Sequence, residues 1–212
     1  MLPWVTSAVH LGHTISTVDY SKDILCRRGE FISNVHQLQQ ELGDQHPDVF
    51  MRLVQTYLSS MYGSNLWDLF GVSSEKLYIA WSVLLKLTFK LPHPTHRYIL
   101  YNICSIPHLR ISLLKRFVKF YRKLQNCKKP EIINLFLLQR RDPRSVFGIN
   151  CLGICGEMGV PSVDRVNVNK IKMPINLPED QEWRMNFIRD LLTVPDIPQG
   201  DIDIMLNFIC CE

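Results

Sequence analysis

The chain lacks the features that place a protein in or across a membrane. No uncharged apolar run reaches the roughly 18 residues of a transmembrane helix. The first residues carry no basic region of the kind that opens a signal peptide. The seven cysteines are odd in number and scattered, unlike a disulfide framework. These absences predict an intracellular protein, nuclear or cytoplasmic rather than secreted, with no membrane partner.

The sequence also has little of what catalysis or metal binding requires. It contains no Gly-rich phosphate loop, no GxSxG elbow and no pair of adjacent aspartates. Cys151 and Cys155 would share one helix face, but no CxxC pair and no later histidine completes a zinc site. We therefore expect no autonomous enzyme activity, no metal and no cofactor.

A strongly basic amphipathic stretch over residues 109–129 is what the chain does have. On a helical projection, apolar side chains cover one side and cations cover an arc of roughly 120° on the other. We call these cations the basic face: Lys115, Arg116, Lys119, Arg122 and Lys123. Four further candidates follow closely in sequence: Lys128, Lys129, Arg140 and Arg141. The helix supplies no acidic partner one turn away, so these charges are expected to bind an external anion.

Charge is distributed unevenly along the chain. Residues 86–144 contain fourteen Lys and Arg against two acidic residues, a net charge of +12 within a total of +4. The segments before and after are acidic. Such asymmetry predicts a surface for a polyanion, foremost nucleic acid. Two alternatives stay open at this stage: a solvated helix face with an acidic intramolecular partner, and a membrane surface.

Hydrophobic periodicity predicts a mainly α fold, a helical bundle with a short N-terminal β-hairpin and a small α-helical C-terminal tail. Tyr62, Trp67 and Trp81 are predicted core residues, and platforms on which bases stack are the alternative. The predicted helices cover 22–42, 47–62, about 74–91, 95–104, 109–129, from Pro130 onward, and about 145–158. The predicted divisions are a hairpin at 1–19, a helical domain at 20–158, an extended linker at 159–180 and an acidic helical tail at 181–212.

Several stretches together resemble the reverse transcriptases of LINE-type (non-LTR) retrotransposons. VHLGHTIS at 9–16 resembles the short hairpin that follows the family's palm strands, and YGSNLWDL at 62–69 resembles its Y-G-S-x-L-W pattern. LPHPTHR at 91–97 is similar to its L-P-x-x-T-H-R stretch, and RSVFGIN at 144–150 to its S-x-x-G-x-N segment. These matches are collinear and span nearly the whole chain.

The resemblance implies a thumb-like domain at 20–158 whose helices hold a template–primer duplex by its backbone, preceded by a remnant of a palm-like domain at 1–19. It implies nucleic-acid contacts from Arg97 and His96, for which a buried capping role is the alternative. It also implies primer contacts from four residues of the hairpin: His10, Leu11, Gly12 and His13.

The family's fingers and catalytic palm would precede Val9, and their [FY]-x-D-D turn is missing from the sequence. The expectation is therefore a truncated, catalytically incomplete domain that binds RNA, DNA or a hybrid without reading sequence. Polymerase activity would need a palm-bearing chain in trans. A thumb without its palm would also expose apolar surface around Leu11, Ile15 and the first helix, which predicts self-association.

A second interpretation is a non-enzymatic structural or protein-interaction remnant. In it the basic face docks the chain's own acidic tail through four carboxylates: Asp196, Asp201, Asp203 and Glu212.

Overall fold

The computed structural model describes residues 6–10, 12–16, 21–43, 46–58, 61–93, 95, 100 and 107–171. Within them the chain is mainly helical with a short N-terminal antiparallel hairpin, which confirms the predicted fold class. The strands are β1 Ser7–His10 and β2 His13–Ser16. The α-helices are α1 Lys22–Leu42, α2 Pro47–Leu53, α3 Val72–Thr88, α4 Leu109–Gln125, α5 Pro130–Arg141 and α6 Val146–Met158. Shorter turns are the π-helical Val54–Leu58 and the 3-10 segments Ser64–Leu66, Val163–Arg165 and Val168–Lys170.

The hairpin pairs β1 with β2 in antiparallel register, with Val9 opposite Thr14. Gly12 lies in the tight connection at a φ of +78°, a left-handed conformation that side chains with a Cβ disfavour. All of β1 is exposed, whereas His13 at the start of β2 is buried. The hairpin therefore packs against the rest of the chain at the start of β2, where His13 and the Thr14 N–H both contact Asp23 of α1.

A buried carboxylate joins the hairpin to the helices. Asp23, in the first turn of α1, accepts hydrogen bonds from His13 Nδ1 at 3.0 Å, Trp67 Nε1 at 2.7 Å and the Thr14 backbone N–H at 3.0 Å. Burial raises the pKa of Asp23, but the three hydrogen bonds outweigh it and leave that pKa below its ordinary value. Gly63, at a φ of +80°, leaves room for the His13 ring, which a Cβ there would overlap.

The chain divides into two compact units: residues 1–80 with 109–172, and residues 81–108 with 173–212. In the described part of the second unit, Trp81, Leu85 and Leu100 are buried. Lys86 Nζ donates to the carbonyl of His93 at 2.6 Å, and burial lowers the pKa of Lys86.

An aromatic cluster holds α4, α5 and α6 together in the first unit. Tyr121 packs edge-on against Phe136 with ring centroids 5.2 Å apart and stacks on Phe147 at 6.0 Å. Phe117 of α4 also contacts Phe147, at 5.1 Å. Phe136 is the buried residue of α5, so this helix depends on the cluster for its packing.

The start of α6 is built from the RSVFGIN stretch. Ser145 caps the helix by accepting a hydrogen bond from the Gly148 N–H at 2.9 Å. Asn150, fully buried, donates to the carbonyl of Trp67 at 2.8 Å and accepts from the Leu69 N–H at 2.9 Å. The YGSNLWDL and RSVFGIN stretches therefore meet in the fold, and Trp67 connects both of them to Asp23.

Some expectations differ from the structure. Tyr62 was expected in the core but is 69% exposed, because residues 62–63 form a turn and not the end of the helix predicted over 47–62. Trp67 and Trp81 are buried as predicted. The segment expected to be an extended linker from 159 instead forms two 3-10 turns over 163–170. Three of its apolar residues are buried, which explains the difference: Val163, Val166 and Ile171.

Two other predicted elements lie outside the described residues. They are most of the short helix at 95–104 and the whole acidic tail at 181–212, with its four carboxylates.

Candidate nucleic-acid interface

The packing of α4 leaves its basic face on the outside. Seven apolar or aromatic residues of this helix are buried: Leu109, Ile111, Leu113, Leu114, Phe117, Val118 and Tyr121. They occupy the side that the helical projection assigned to the core. The remaining arc carries the cations, of which Lys119, Arg122 and Lys123 are exposed and Lys115 and Arg116 are half-buried. The spacing of charges read from sequence is therefore preserved in the fold.

The neighbouring cations extend this surface beyond α4. Lys128 and Lys129 lie exposed in the connection to α5, and Arg141 is exposed at the end of that helix. Arg140 is half-buried, and its guanidinium lies 5.5 Å from the centre of the Tyr121 ring. Since α4 and α5 pack together, these four cations belong to the same compact unit as the basic face.

Two arginines of this surface contact the segment 162–166. Arg122 Nη2 donates to the carbonyl of Val166 at 2.6 Å. Arg140 Nη2 lies 3.1 Å from Asp164 Oδ2 and 3.3 Å from the Ser162 hydroxyl. These arginines differ from the lysines of the basic face, because part of their hydrogen-bonding capacity is used within the chain.

Asp164 is surrounded by donors. Besides Arg140, Gln125 Nε2 donates to Oδ1 at 2.9 Å and the Ser162 hydroxyl donates to Oδ2 at 2.6 Å. The hydrogen bond from Ser162 is the largest cause that lowers the pKa of Asp164. Burial raises this pKa, whereas Tyr121, Arg140 and Gln125 lower it further. Asp164 is thus an ionised group beside the candidate interface.

Arg110, the cation that breaks the pattern of α4, has a separate role. It forms an ion pair with Glu157 of α6, and its guanidinium lies 5.2 Å from the centre of the Phe70 ring. Burial raises the pKa of Glu157, and Arg110 lowers it in part. This pair connects α4 to α6 away from the basic face.

The residues implied by the resemblance alone do not share one environment. His10 and Gly12 are exposed in the hairpin, whereas His13 is 8% exposed and bonded to Asp23. Leu11, His96 and Arg97 lie outside the described residues. His13 is thus a structural residue of the hairpin junction in this fold.

Sequence reasoning missed Asp164, Gln125 and Ser162 as residues of this region. Asp164 belongs to a stretch read as a linker, and its distance in sequence from α4 gave no signal of contact. The only available sign was the capping pattern of Ser162, which accepts from the Asp164 N–H two residues on.

Two thiols of α6 have a raised pKa. Burial raises the pKa of the Cys151 thiol to about 12 and also raises that of Cys155.

Among the described residues, no three His, Cys, Asp or Glu side chains come together in a way that would hold a metal. Within the same residues, every helix is too short or too polar to cross a bilayer.

The chain matches no protein-family model, and no curated protein or solved structure matches it significantly. The likeness to reverse transcriptases therefore rests on the quoted sequence motifs alone.

Proposed function

We propose that this chain is a reverse-transcriptase thumb-like domain that binds nucleic acid through phosphate contacts along α4, without reading sequence. The observation that carries the proposal is the division of α4 into a buried apolar side and an outward basic face within a segment of net charge +12. Because the apolar side of α4 is packed against the rest of the unit, the cations on its other side are held at a fixed spacing. A fixed spacing of cations suits a regular phosphate backbone. The proposal assigns binding, not catalysis, to the chain.

Binding of a labelled RNA–DNA hybrid across a salt series tests this proposal. The informative variant is Lys115→Gln/Lys119→Gln/Lys123→Gln, because it removes cations of the basic face and leaves Arg122 and Arg140 in their contacts. Each lost phosphate contact removes somewhat under one unit from the slope of log affinity against log salt. Because three lysines are removed, we expect the slope of the variant to be smaller than that of the parent by about two to three units.

A control variant removes the same number of charges elsewhere: Lys22→Gln/Arg52→Gln/Lys76→Gln, all exposed residues outside α4 and α5. Its slope should stay close to that of the parent. Equal slopes for the two variants, or no binding at low salt by protein whose circular dichroism shows it folded, would contradict the proposal.

A structural or interaction role, with the basic face docked by the chain's own acids, is the second candidate. The contacts of Arg122 and Arg140 with residues 162–166 favour it, since they show that this surface accepts an intramolecular partner. The full-length variant with Asp196, Asp201, Asp203 and Glu212 neutralised distinguishes the candidates. If the tail docks on the basic face, this variant should bind the hybrid more tightly than the parent. If it does not dock, the affinity should rise only by the small amount that the altered net charge produces.

A further inference from the structure

Asp164 occupies a set of donors that would equally suit a phosphate. Both of its carboxylate oxygens are bound: Oδ1 by Gln125 at 2.9 Å, and Oδ2 by Arg140 at 3.1 Å and Ser162 at 2.6 Å. A guanidinium beside an amide and a hydroxyl is a donor set that binds phosphate oxygens as well as carboxylate oxygens. The chain itself therefore supplies the anion at this position.

The backbone that carries Asp164 is held in place. Val163 and Val166 on either side of it are 3% and 1% exposed. The Val166 carbonyl accepts from Arg122, a residue of the basic face. The Asp164 side chain nevertheless remains about one-third exposed, at 34%. An external anion can therefore approach the donors, while packing keeps the carboxylate close to them.

We propose that Arg140, Gln125 and Ser162 form a phosphate subsite at the edge of the basic face, and that Asp164 fills it as a competing intramolecular anion. A phosphate of the bound nucleic acid displaces the carboxylate from Arg140, and the backbone at 163–166 stays packed. The subsite rests on the proposed function, which it deepens by adding a device that weakens binding. Nucleic acid then reaches the exposed Lys119 and Lys123 of α4 without competition, but must compete with Asp164 for Arg140.

The experiment compares Asp164→Asn with Glu157→Gln in hybrid binding at one low salt concentration. Asn keeps a polar side chain beside Ser162 and Gln125 but lacks the charge that holds Arg140. Glu157→Gln is the matched control, because it also removes one carboxylate paired to an arginine, here Arg110 of α4, yet lies away from the basic face. We expect Asp164→Asn to bind about three- to fivefold tighter than the parent, the gain expected when an ion pair that is about one-third exposed no longer competes. Glu157→Gln should bind within about twofold of the parent.

Arg140→Gln in both backgrounds identifies the donor responsible. In the parent it should change affinity by less than about twofold, since Asp164 already engages Arg140. In the Asp164→Asn background it should abolish the gain. Asp164→Ser, a smaller uncharged replacement, should reproduce the gain in affinity. It takes the place of Asp164→Asn if circular dichroism shows that the Asn variant is unfolded.

The outcomes separate the two proposals. Should the parent bind with a steep salt dependence while Asp164→Asn gains no more than Glu157→Gln, the subsite is wrong and the proposed function stands. A gain that persists after Arg140→Gln also overturns the subsite. If neither the parent nor the folded Asp164 variants bind, both proposals fail.

Discussion

At the scale of single residues, Asp23 is a buried carboxylate that joins separate parts of the described chain. It is 7% exposed and accepts from three donors that come from β2 and from the turn around Trp67. Each of these donors would be left unsatisfied without it, and an orphaned buried donor costs about 1–3 kcal/mol. One side chain therefore maintains the junction between the hairpin and the helices.

Replacing Asp23 by Ala should lower the free energy of unfolding by about 3 kcal/mol, because several buried donors lose their acceptor at once. Urea denaturation at neutral pH measures this change. The control is Glu30→Ala, which removes an exposed carboxylate of the same helix paired to Arg27 and should cost less than about 1 kcal/mol. Similar losses for the two variants would contradict the assigned role of Asp23.

The lowered pKa of Asp23 also predicts how stability depends on pH. A carboxyl whose pKa is lower in the folded state stabilises the fold at pH values above its unfolded pKa, about 3.9. That contribution is lost as the pH falls below this value and through the folded pKa. Urea midpoints measured from about pH 7 down to about pH 3 should fall less steeply for Asp23→Asn than for the parent. Parallel curves would show that Asp23 does not contribute to the acid dependence.

At the scale of elements, the first turn of α6 depends on a close approach between backbones. A Cβ built on Gly148 would overlap the carbonyl oxygen of Asp142, whereas one built on Gly156 would meet nothing within 4 Å. The two glycines lie in the same helix, so they differ in surroundings and not in secondary structure. This contrast separates the steric role of Gly148 from the general effect of glycine on helix stability.

Gly148→Ala should therefore destabilise the protein by about 2 kcal/mol, because the carbonyl of Asp142 must move to accept a methyl group. Gly156→Ala should instead stabilise it by about 0.5–1 kcal/mol through the higher helix propensity of alanine. Thermal melts of the two variants should shift in opposite directions. A stabilising Gly148→Ala would show that the close approach relaxes without cost.

The elements also show how far local sequence signals extend. The bounds of α1 and α6 and the starts of α2 and α5 follow the predictions, because prolines, caps and glycines act within one turn. The orientation of α4 follows from periodicity, so its buried side could be predicted from the sequence. Asp164 and the burial of Val163 could not, because both depend on contacts with helices some forty residues away in sequence.

At the scale of the whole molecule, exposed apolar residues are unevenly spread. Leu135 and Leu138 of α5 are 59% and 67% exposed, one turn apart on the same face. The apolar exposure expected at the N-terminus is also present at Ile15 and Val9, on opposite faces of the hairpin. The side chains on α5 are neighbours and form a patch of the kind that mediates association.

We expect the protein to self-associate with rising concentration and Leu135→Gln/Leu138→Gln to weaken this association, because the variant removes adjacent apolar side chains. Sedimentation velocity over a concentration series measures the effect. Val9→Thr/Ile15→Thr is the matched control in the hairpin and should change the association less. A parent that remains a monomer throughout would contradict this expectation.

The shared carboxylate beneath the hairpin has a consequence for local opening. The Thr14 amide and the Trp67 indole both donate to Asp23, although one belongs to a strand and the other to a turn some fifty residues later. Local opening of the hairpin would expose Asp23 to water, and the Trp67 indole would then lose its buried hydrogen bond to Asp23 as well. Deuterium should therefore enter the Thr14 and Trp67 N–H groups together, as one cooperative unit, ahead of global unfolding.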